Sequence, residues 1–178
     1  DYGDVFQFDV ISGDKLSTNN LGTIVDEILL SKDSSTMLAW MEDSVKLYST
    51  DSFASPVFEF PEIQAALFSS GNDLFVGTGQ KSTFVYDART GEKLATLVDP
   101  QLDQEWEANV ACFNPYDDLI LSDAVLWDFR IPHQVIHRFD RLTTNGYGIF
   151  HPAGHEVIIN SEIWDLRTLK LRSTCPAL

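Results

Sequence analysis

Residues 113–130 read FNPYDDLILSDAVLWDFR, and residues 150–168 read FHPAGHEVIINSEIWDLRT. Each stretch begins with a phenylalanine before a polar turn that contains proline, and each continues through short runs rich in β-branched and aromatic residues. Such runs, bounded by turn residues, are typical of β-strands. Both stretches contain Trp-Asp-x-Arg, and their tryptophans, Trp127 and Trp164, are 37 positions apart. Together they indicate a repeating unit built from strands.

The same unit recurs over most of the chain. An aromatic residue followed by Asp, or once by Ser, returns at spacings of 40, 38, 41 and 37 residues. The five segments are QFDVIS (7–12), LYSTDS (47–52), VYDART (85–90), LWDFRI (126–131) and IWDLRT (163–168). A period near 40 with a Trp-Asp dipeptide is the signature of propeller blades, each a four-stranded sheet. A helical array of the armadillo type needs helices of about ten residues or more, and the turn signals come too often for them.

The sequence therefore predicts an all-β chain, with residues 1–178 forming one partial WD-repeat β-propeller domain. About four and a half repeats are present, and the chain begins and ends inside a repeat. Propellers close with about 4–8 blades, so we expect this chain to be part of a longer, seven-bladed ring. The aromatic residue of each segment is predicted to fill the core, and the following Asp to accept hydrogen bonds from the next turn.

Charge and cysteine usage limit the partners. The formal net charge is -15, which repels phosphate backbones, so no direct contact with nucleic acid is expected. No apolar run approaches the roughly 20 residues of a membrane helix, so no membrane partner is expected. The two cysteines, Cys112 and Cys175, lack the spacing of a disulfide framework or a zinc site. Reduced thiols suit the nucleus and cytoplasm, where we expect the protein.

Two histidine pairs have a spacing that metal sites use. His151 and His155 are four positions apart, as are His133 and His137. That spacing brings two ligands together only on a helix, and the prolines and the glycine in and before these segments favour turns. We therefore predict neither a metal site nor a cofactor.

Other polar segments also favour turns over catalysis. GTGQKS (77–82) resembles a phosphate loop but lacks the Gly directly before Lys, so it is predicted to join two strands. Asp117 and Asp118 lie in a turn, where Asp bonds its own backbone. A propeller hydrolase would need polar residues converging on the central channel, and the inner strands are mostly apolar. The chain is therefore not expected to be an enzyme.

An acidic insertion occupies residues 99–107, DPQLDQEWE, with Trp106 among carboxylates. A tryptophan in a polar surface loop can anchor a partner. It can equally form a lid over its own blade, and the sequence leaves both readings open.

The strongest candidates for binding are the paired boxes Trp127-Asp128-Phe129-Arg130 and Trp164-Asp165-Leu166-Arg167. Alternation along a strand places the Asp and the Arg of one box on the same side. Neighbouring blades would then present two arginines on one rim, where planar guanidinium groups suit contacts with protein carboxylates and carbonyls. The alternative is a local Asp–Arg surface pair of little energetic consequence. Tyr86-Asp87-Ala88-Arg89 is a weaker copy, because tyrosine replaces the tryptophan.

The two boxes resemble those of WD-repeat substrate receptors of cullin-4 RING ubiquitin ligases. More narrowly, the segments VYDARTGEKLATL, FNPYDDLILSDAVLWDFR and FHPAGHEVIINSEIWDLRT, with the final CPAL, are similar to the Vpr-binding protein family. This similarity covers residues 84–178, and residues 1–83 match in repeat pattern only.

The resemblance implies a non-catalytic receptor that links target proteins to the damaged-DNA-binding adaptor subunit of the ligase. It implies that Arg130 and Arg167 contact the adaptor, with Asp128, Asp165, Trp127 and Trp164 completing the boxes. Substrates such as merlin or Vpr-recruited proteins follow from the resemblance alone. The alternative function is a generic WD-repeat scaffold without ligase association.

Overall fold

The repeat of the sequence corresponds to a repeat of strands in the computed structural model, which describes residues 3–42, 44–101, 110–139 and 148–175. Within these ranges the chain forms five antiparallel sheets and no helix. None of the described segments is a helix with the length and apolar character needed to cross a bilayer. The prediction of an all-β chain is confirmed, and a helical array is excluded for the described residues.

The first of two compact units spans Asp1–Gln64. A two-stranded sheet pairs β1 (Asp4–Phe8) with β2 (Lys15–Asn20). A four-stranded sheet follows in chain order, with strands β3 (Val25–Leu30), β4 (Thr36–Met41), β5 (Ser44–Ser49) and β6 (Phe58–Phe60). Alternate residues of β4 point into a buried cluster, which Tyr48 of β5 joins. This pattern is the one expected of a strand in an antiparallel meander.

The second unit, Ala65–Leu178, contains three four-stranded meanders. The first is β7 (Ala65–Phe68), β8 (Leu74–Thr78), β9 (Thr83–Asp87) and β10 (Lys93–Leu97). The second is β11 (Cys112–Phe113), β12 (Ile120–Ser122), β13 (Val125–Trp127) and β14 (Val135–Arg138). The third is β15 (Gly148–Phe150), β16 (Glu156–Ile159), β17 (Glu162–Asp165) and β18 (Lys170–Thr174). β11 lies beside both β7 and β15, as the innermost strands of adjacent propeller blades do.

The aromatic residue of the repeat lies on the third strand of every four-stranded sheet. Tyr48, Tyr86, Trp127 and Trp164 are all buried, as predicted. Phe8 is the exception, because it ends β1 of the two-stranded sheet and is 55% exposed. Two strands offer too little surface to cover it. The WD-repeat architecture is therefore confirmed, whereas a closed ring of seven blades and a single domain over residues 1–178 stay predictions.

Both faces of the middle sheet in the second unit are buried against neighbouring sheets. Ile120 and Trp127 pack in one cluster with Val76 of the preceding sheet. Leu126 packs in another cluster with Val157 of the following sheet. Because successive side chains of a strand point to opposite faces, an apolar run such as VLW supplies both clusters at once. This double burial explains why β13 reads as a continuous apolar segment.

Leu121→Ala should lower the free energy of unfolding by about 2–5 kcal/mol, because Leu121 is buried between sheets and its truncation leaves a cavity. Leu94→Ala on β10, where the side chain is exposed, is the matched control and should cost about 0.5 kcal/mol or less. Urea unfolding at low protein concentration measures both. Equal costs would contradict the core assigned here.

The isolated chain should self-associate as its concentration rises. Apolar side chains are exposed on β1, β2 and β3, namely Phe6, Phe8, Leu16, Ile28 and Leu30. Exposed apolar patches of this kind favour association. Light scattering over a concentration series checks this, and Phe8→Ser with Leu16→Ser should reduce the association. A monodisperse monomer with one sharp melting transition would show the expectation to be wrong.

Candidate functional site

The two Trp-Asp-x-Arg boxes lie at one edge of the second unit. Trp127 ends β13, and Asp165 ends β17, so each box runs from the end of a third strand into the turn that follows. In a four-stranded meander, the loop between strands one and two lies at the same end as the turn between strands three and four. We call this end the box edge, formed by residues 114–119, 128–134, 151–155 and 166–169.

The tryptophans of the boxes belong to the core. Trp127 is 3% exposed and Trp164 is 7% exposed. The Trp164 ring meets Phe139 edge-on at 5.3 Å, and its Nε1 donates to Glu162 Oε2 at 3.3 Å. Because both rings are packed in the core, they fix the position of the turn that follows each of them. The side chains of those turns are the ones that a partner can reach.

Asp165 organises the turn between β17 and β18. Its Oδ1 accepts hydrogen bonds from the Thr168 backbone N–H at 2.8 Å and from Thr168 Oγ1 at 3.0 Å. These bonds, the Thr168 amide foremost, hold the pKa of Asp165 below its ordinary value. Leu169 adopts a left-handed φ of 56° and donates its N–H to the Asp165 carbonyl at 2.8 Å. The Asp therefore caps its own turn, as the sequence predicted.

The corresponding turn between β9 and β10 is built in the same way. Asp87 Oδ1 accepts from the backbone N–H groups of Arg89 and Thr90 at 2.9 and 2.7 Å. Gly91 takes the left-handed position that Leu169 occupies in the later turn. In both turns a Thr stands directly after the Arg and bonds the carboxylate.

Asp128 differs, because its carboxylate binds the arginine of its own box. Arg130 donates from Nε to Asp128 Oδ1 at 2.7 Å and from a terminal nitrogen to Oδ2 at 2.6 Å. Ile131 stands where the other turns have Thr, and Pro132 cannot take the left-handed position or donate an N–H. With no Thr hydroxyl in competition, Asp128 and Arg130 form a bidentate pair.

The pair has a direct consequence for charge. The Arg130 side chain lowers the pKa of Asp128, and Asp128 in turn raises the pKa of Arg130. The pair is thus present above the ordinary carboxyl pKa and is lost only as the pH falls through the lowered pKa of Asp128. At neutral pH, Arg130 reaches the surface already neutralised by its neighbour.

Arg167 makes no such pair. Its side chain is exposed, and the described residues offer its guanidinium no hydrogen bond or ion pair. The backbone N–H of Arg167 and then its charge also lower the pKa of Asp165, each less than Thr168 does. A groove of about 590 Å³ lies beside it, lined also by Tyr116, Leu119 and His155. Arg167 is therefore a cation at the wall of an open groove.

The loop of residues 114–119 lies between the two arginines. Asp118 of this loop acts electrostatically on Arg130 and lines the groove together with Arg167. The buried Asn114 holds Asp118, because its Nδ2 donates to Asp118 Oδ1 at 2.6 Å while its Oδ1 accepts from the Asp118 N–H at 3.0 Å. The structure thus brings both arginines to the same edge, around one loop.

The same loop connects three neighbouring sheets. Asp117 accepts from the Ser70 and Gly71 backbone N–H groups at 2.7 and 2.8 Å. Tyr116 donates from its hydroxyl to the Ala153 carbonyl at 3.3 Å. The expectation that Asp117 bonds its own turn was wrong, because its two carboxylate oxygens accept hydrogen bonds from the loop of the preceding sheet. Sequence reasoning missed these roles, since their partners are more than 30 positions away.

The other polar segments that the sequence analysis considered include two turns. GTGQKS joins β8 to β9 as predicted, closed by a bond from the Gly79 N–H to the Ser82 carbonyl at 2.9 Å. His151 lies in a turn, where its Nδ1 accepts from the Ala153 N–H at 3.1 Å. The described residues contain no cluster of three metal-ligating side chains.

The acidic insertion is described only at its start. Asp99 forms an ion pair with Arg138, while Asp103, Glu105, Trp106 and Glu107 lie outside the described residues.

Of the two free thiols, Cys112 is mostly buried, which raises its pKa to about 11, and Cys175 is exposed.

Gly154→Ala tests the contact between the loops at the box edge. Gly154 has a φ of 74°, and an added Cβ would lie 2.4 Å from Tyr116 Cε2. Gly13→Ala is the matched control, with a φ of 75° and open space around it. Both should incur the left-handed strain of about 1–2 kcal/mol, and Gly154→Ala should cost more. Thermal unfolding of both variants, alone and with Tyr116→Ala, gives the coupling. An excess cost that survives Tyr116→Ala would contradict the contact.

Comparison with known proteins places this architecture in a family. No protein-family model matches the chain. It is 35% identical over 185 residues to the DDB1- and CUL4-associated factor homolog 1 of Arabidopsis thaliana, covering 99% of this chain and 10% of that protein. The protein of the same name from Caenorhabditis elegans is 34% identical, over 99% of this chain and 11% of its own length. Protein mahjong of Drosophila melanogaster is 39% identical over 66% of this chain and 8% of its own length.

The chain spans about a tenth of the length of the relatives it matches. The similarity to the first two nevertheless runs through both units and includes the turns that carry the boxes. The chain therefore belongs to the Vpr-binding protein family, whose curated relatives are named DDB1- and CUL4-associated factor homolog 1.

Proposed function

We propose that this chain is the propeller segment of a substrate receptor for a cullin-4 RING ubiquitin ligase, and that its box edge binds the adaptor DDB1. The names of the relatives associate those proteins with DDB1 and CUL4. The observation that carries the proposal is the placement of Arg130 and Arg167 at one edge, around the loop that contains Asp118. Guanidinium groups at a rim suit directed contacts with protein carbonyls and carboxylates.

The box edge has the rigidity that such a contact needs. The Trp127 and Trp164 rings are buried immediately before the turns, and the carboxylates of Asp128 and Asp165 fix the turn geometry. A side chain that is already ordered loses less conformational entropy when a partner binds. The edge therefore presents its arginines on a scaffold that folding has already ordered.

In this proposal the chain acts by binding alone. It holds a target protein near the ubiquitin-transfer machinery carried by other subunits, which raises the effective concentration of target lysines there. The substrates that the resemblance implies, merlin and Vpr-recruited proteins, would contact other surfaces of the receptor.

A second candidate, a generic propeller scaffold, also has an observation in its favour. The ion pair between Arg130 and Asp128 is local and lies at the surface, as expected of a pair that contributes little. In that case the arginines would be incidental to binding, and their removal would have no effect on capture of DDB1.

The double variant Arg130→Ala with Arg167→Ala separates the two candidates. In the full polypeptide it should weaken capture of purified DDB1 by about 100-fold or more, because buried interface arginines rank among the residues most costly to truncate. Biolayer interferometry measures the affinity, and circular dichroism checks that the strands are retained.

The control is Arg89→Ala with Lys81→Ala, which removes the same charge from exposed positions outside the two boxes. This control should bind as the unsubstituted protein does. Undiminished capture by the box variant would eliminate the proposed interface and favour the generic scaffold.

A further inference from the structure

The two boxes look alike in sequence but present different chemistry at the surface. Arg130 is held by both oxygens of Asp128, whereas Arg167 has no hydrogen bond or ion pair among the described residues. We propose, resting on the function proposed above, that Arg167 binds a carboxylate side chain of the adaptor while Arg130 binds a neutral main-chain carbonyl.

The difference begins with the residue that follows each arginine. Thr168 occupies Oδ1 of Asp165 through its amide and its hydroxyl, and the Arg167 side chain acts on this carboxylate through its charge without a hydrogen bond. Ile131 has no hydroxyl, so Asp128 turns to the Arg130 guanidinium. A single side chain next to the box thus decides whether its arginine is neutralised.

Burial in an interface amplifies that difference. An unpaired guanidinium that loses its water needs an opposite charge, because an isolated buried charge is strongly unfavourable. Arg167 therefore requires a carboxylate from the partner. The groove at its side is lined by Leu119 and Leu166, whose apolar side chains would cover the stem of an acidic side chain. Asp118 and Asp165 also line this groove, so the incoming carboxylate would have to lie at the Arg167 guanidinium.

Arg130 brings its own counterion into the interface. The pair with Asp128 uses Nε and one terminal nitrogen, and the guanidinium has five N–H groups, so others stay available. Asp118 adds negative potential at this arginine and also lines the groove beside Arg167, so the difference between the two arginines rests on the bidentate pair with Asp128. A second carboxylate from the partner would be repelled there, whereas a carbonyl accepts an N–H without adding charge.

The dependence of binding on salt distinguishes the two contacts. Salt screens interactions between charged partners, whereas a hydrogen bond from a neutralised pair to a carbonyl depends weakly on ionic strength. The Kd of the full polypeptide for purified DDB1 is therefore measured from about 50 to about 500 mM NaCl, and the slope of log Kd against log salt is compared between variants.

Arg167→Gln, which keeps amide donors but removes the charge, should weaken binding about tenfold or more at low salt and flatten the slope. Arg167→Lys, which retains the charge, should keep the slope. Asp128→Asn with Arg130→Gln replaces the pair by neutral groups and should weaken binding by a factor of about three to ten with the slope unchanged. Arg89→Ala removes one positive charge from the neighbouring turn and should change neither quantity.

The outcomes separate the two proposals. If Arg167→Gln weakens binding but leaves the slope unchanged, Arg167 pairs with Asp165 in the complex. That result would overturn the proposed contact between Arg167 and a carboxylate of the adaptor. A flattened slope in the Asp128–Arg130 variant would overturn the neutral contact. If no arginine variant weakens binding, the proposed function itself fails, and the division between the boxes fails with it.

Discussion

Packing between neighbouring sheets is the interaction on which the second unit depends. Each central strand sends alternate apolar side chains to opposite faces, so Ile120 and Leu121 enter different clusters although they are adjacent in the chain. A sheet whose two faces are both buried cannot move relative to its neighbours without exposing apolar surface. This is why the end of each third strand, with its buried tyrosine or tryptophan, is a fixed point from which a turn can present polar side chains.

Polar contacts at the box edge add direction to that apolar framework. Asp117 reaches the loop of the preceding sheet, and Tyr116 reaches the loop of the following one. Another polar contact links adjacent sheets at the end opposite the box edge. There the buried hydroxyl groups of Thr83 and Ser122 form a hydrogen bond of 2.7 Å. Buried polar groups that are satisfied in this way favour one arrangement of the blades over others.

The turns show how one position changes the chemistry of a repeated motif. Asp87 and Asp165 bond a following Thr, whereas Asp128 is followed by Ile131 and Pro132 and bonds Arg130. Two boxes with the same four-residue pattern therefore differ in whether the arginine is hydrogen-bonded to the carboxylate of its own box. A motif match alone treats Arg130 and Arg167 as equivalent. The hydrogen bonds that Asp128 and Asp165 accept show that the two arginines differ.

Local and periodic features were accessible from the sequence, because strand alternation and turn chemistry act over a few residues. The period near 40 predicted the sheets, and the aromatic position of the repeat predicted that Trp127 is buried. Strand alternation predicted that Asp128 and Arg130 share a side, and the Asp of the repeat predicted the capped turn at Asp87. The exposure of Phe8 escaped prediction, because it depends on how many strands its sheet contains. The links made by Asp117 and Tyr116 and the groove beside Arg167 were decided by the tertiary structure. They join residues far apart in the chain, and only the stacking of sheets brings those residues within hydrogen-bonding distance.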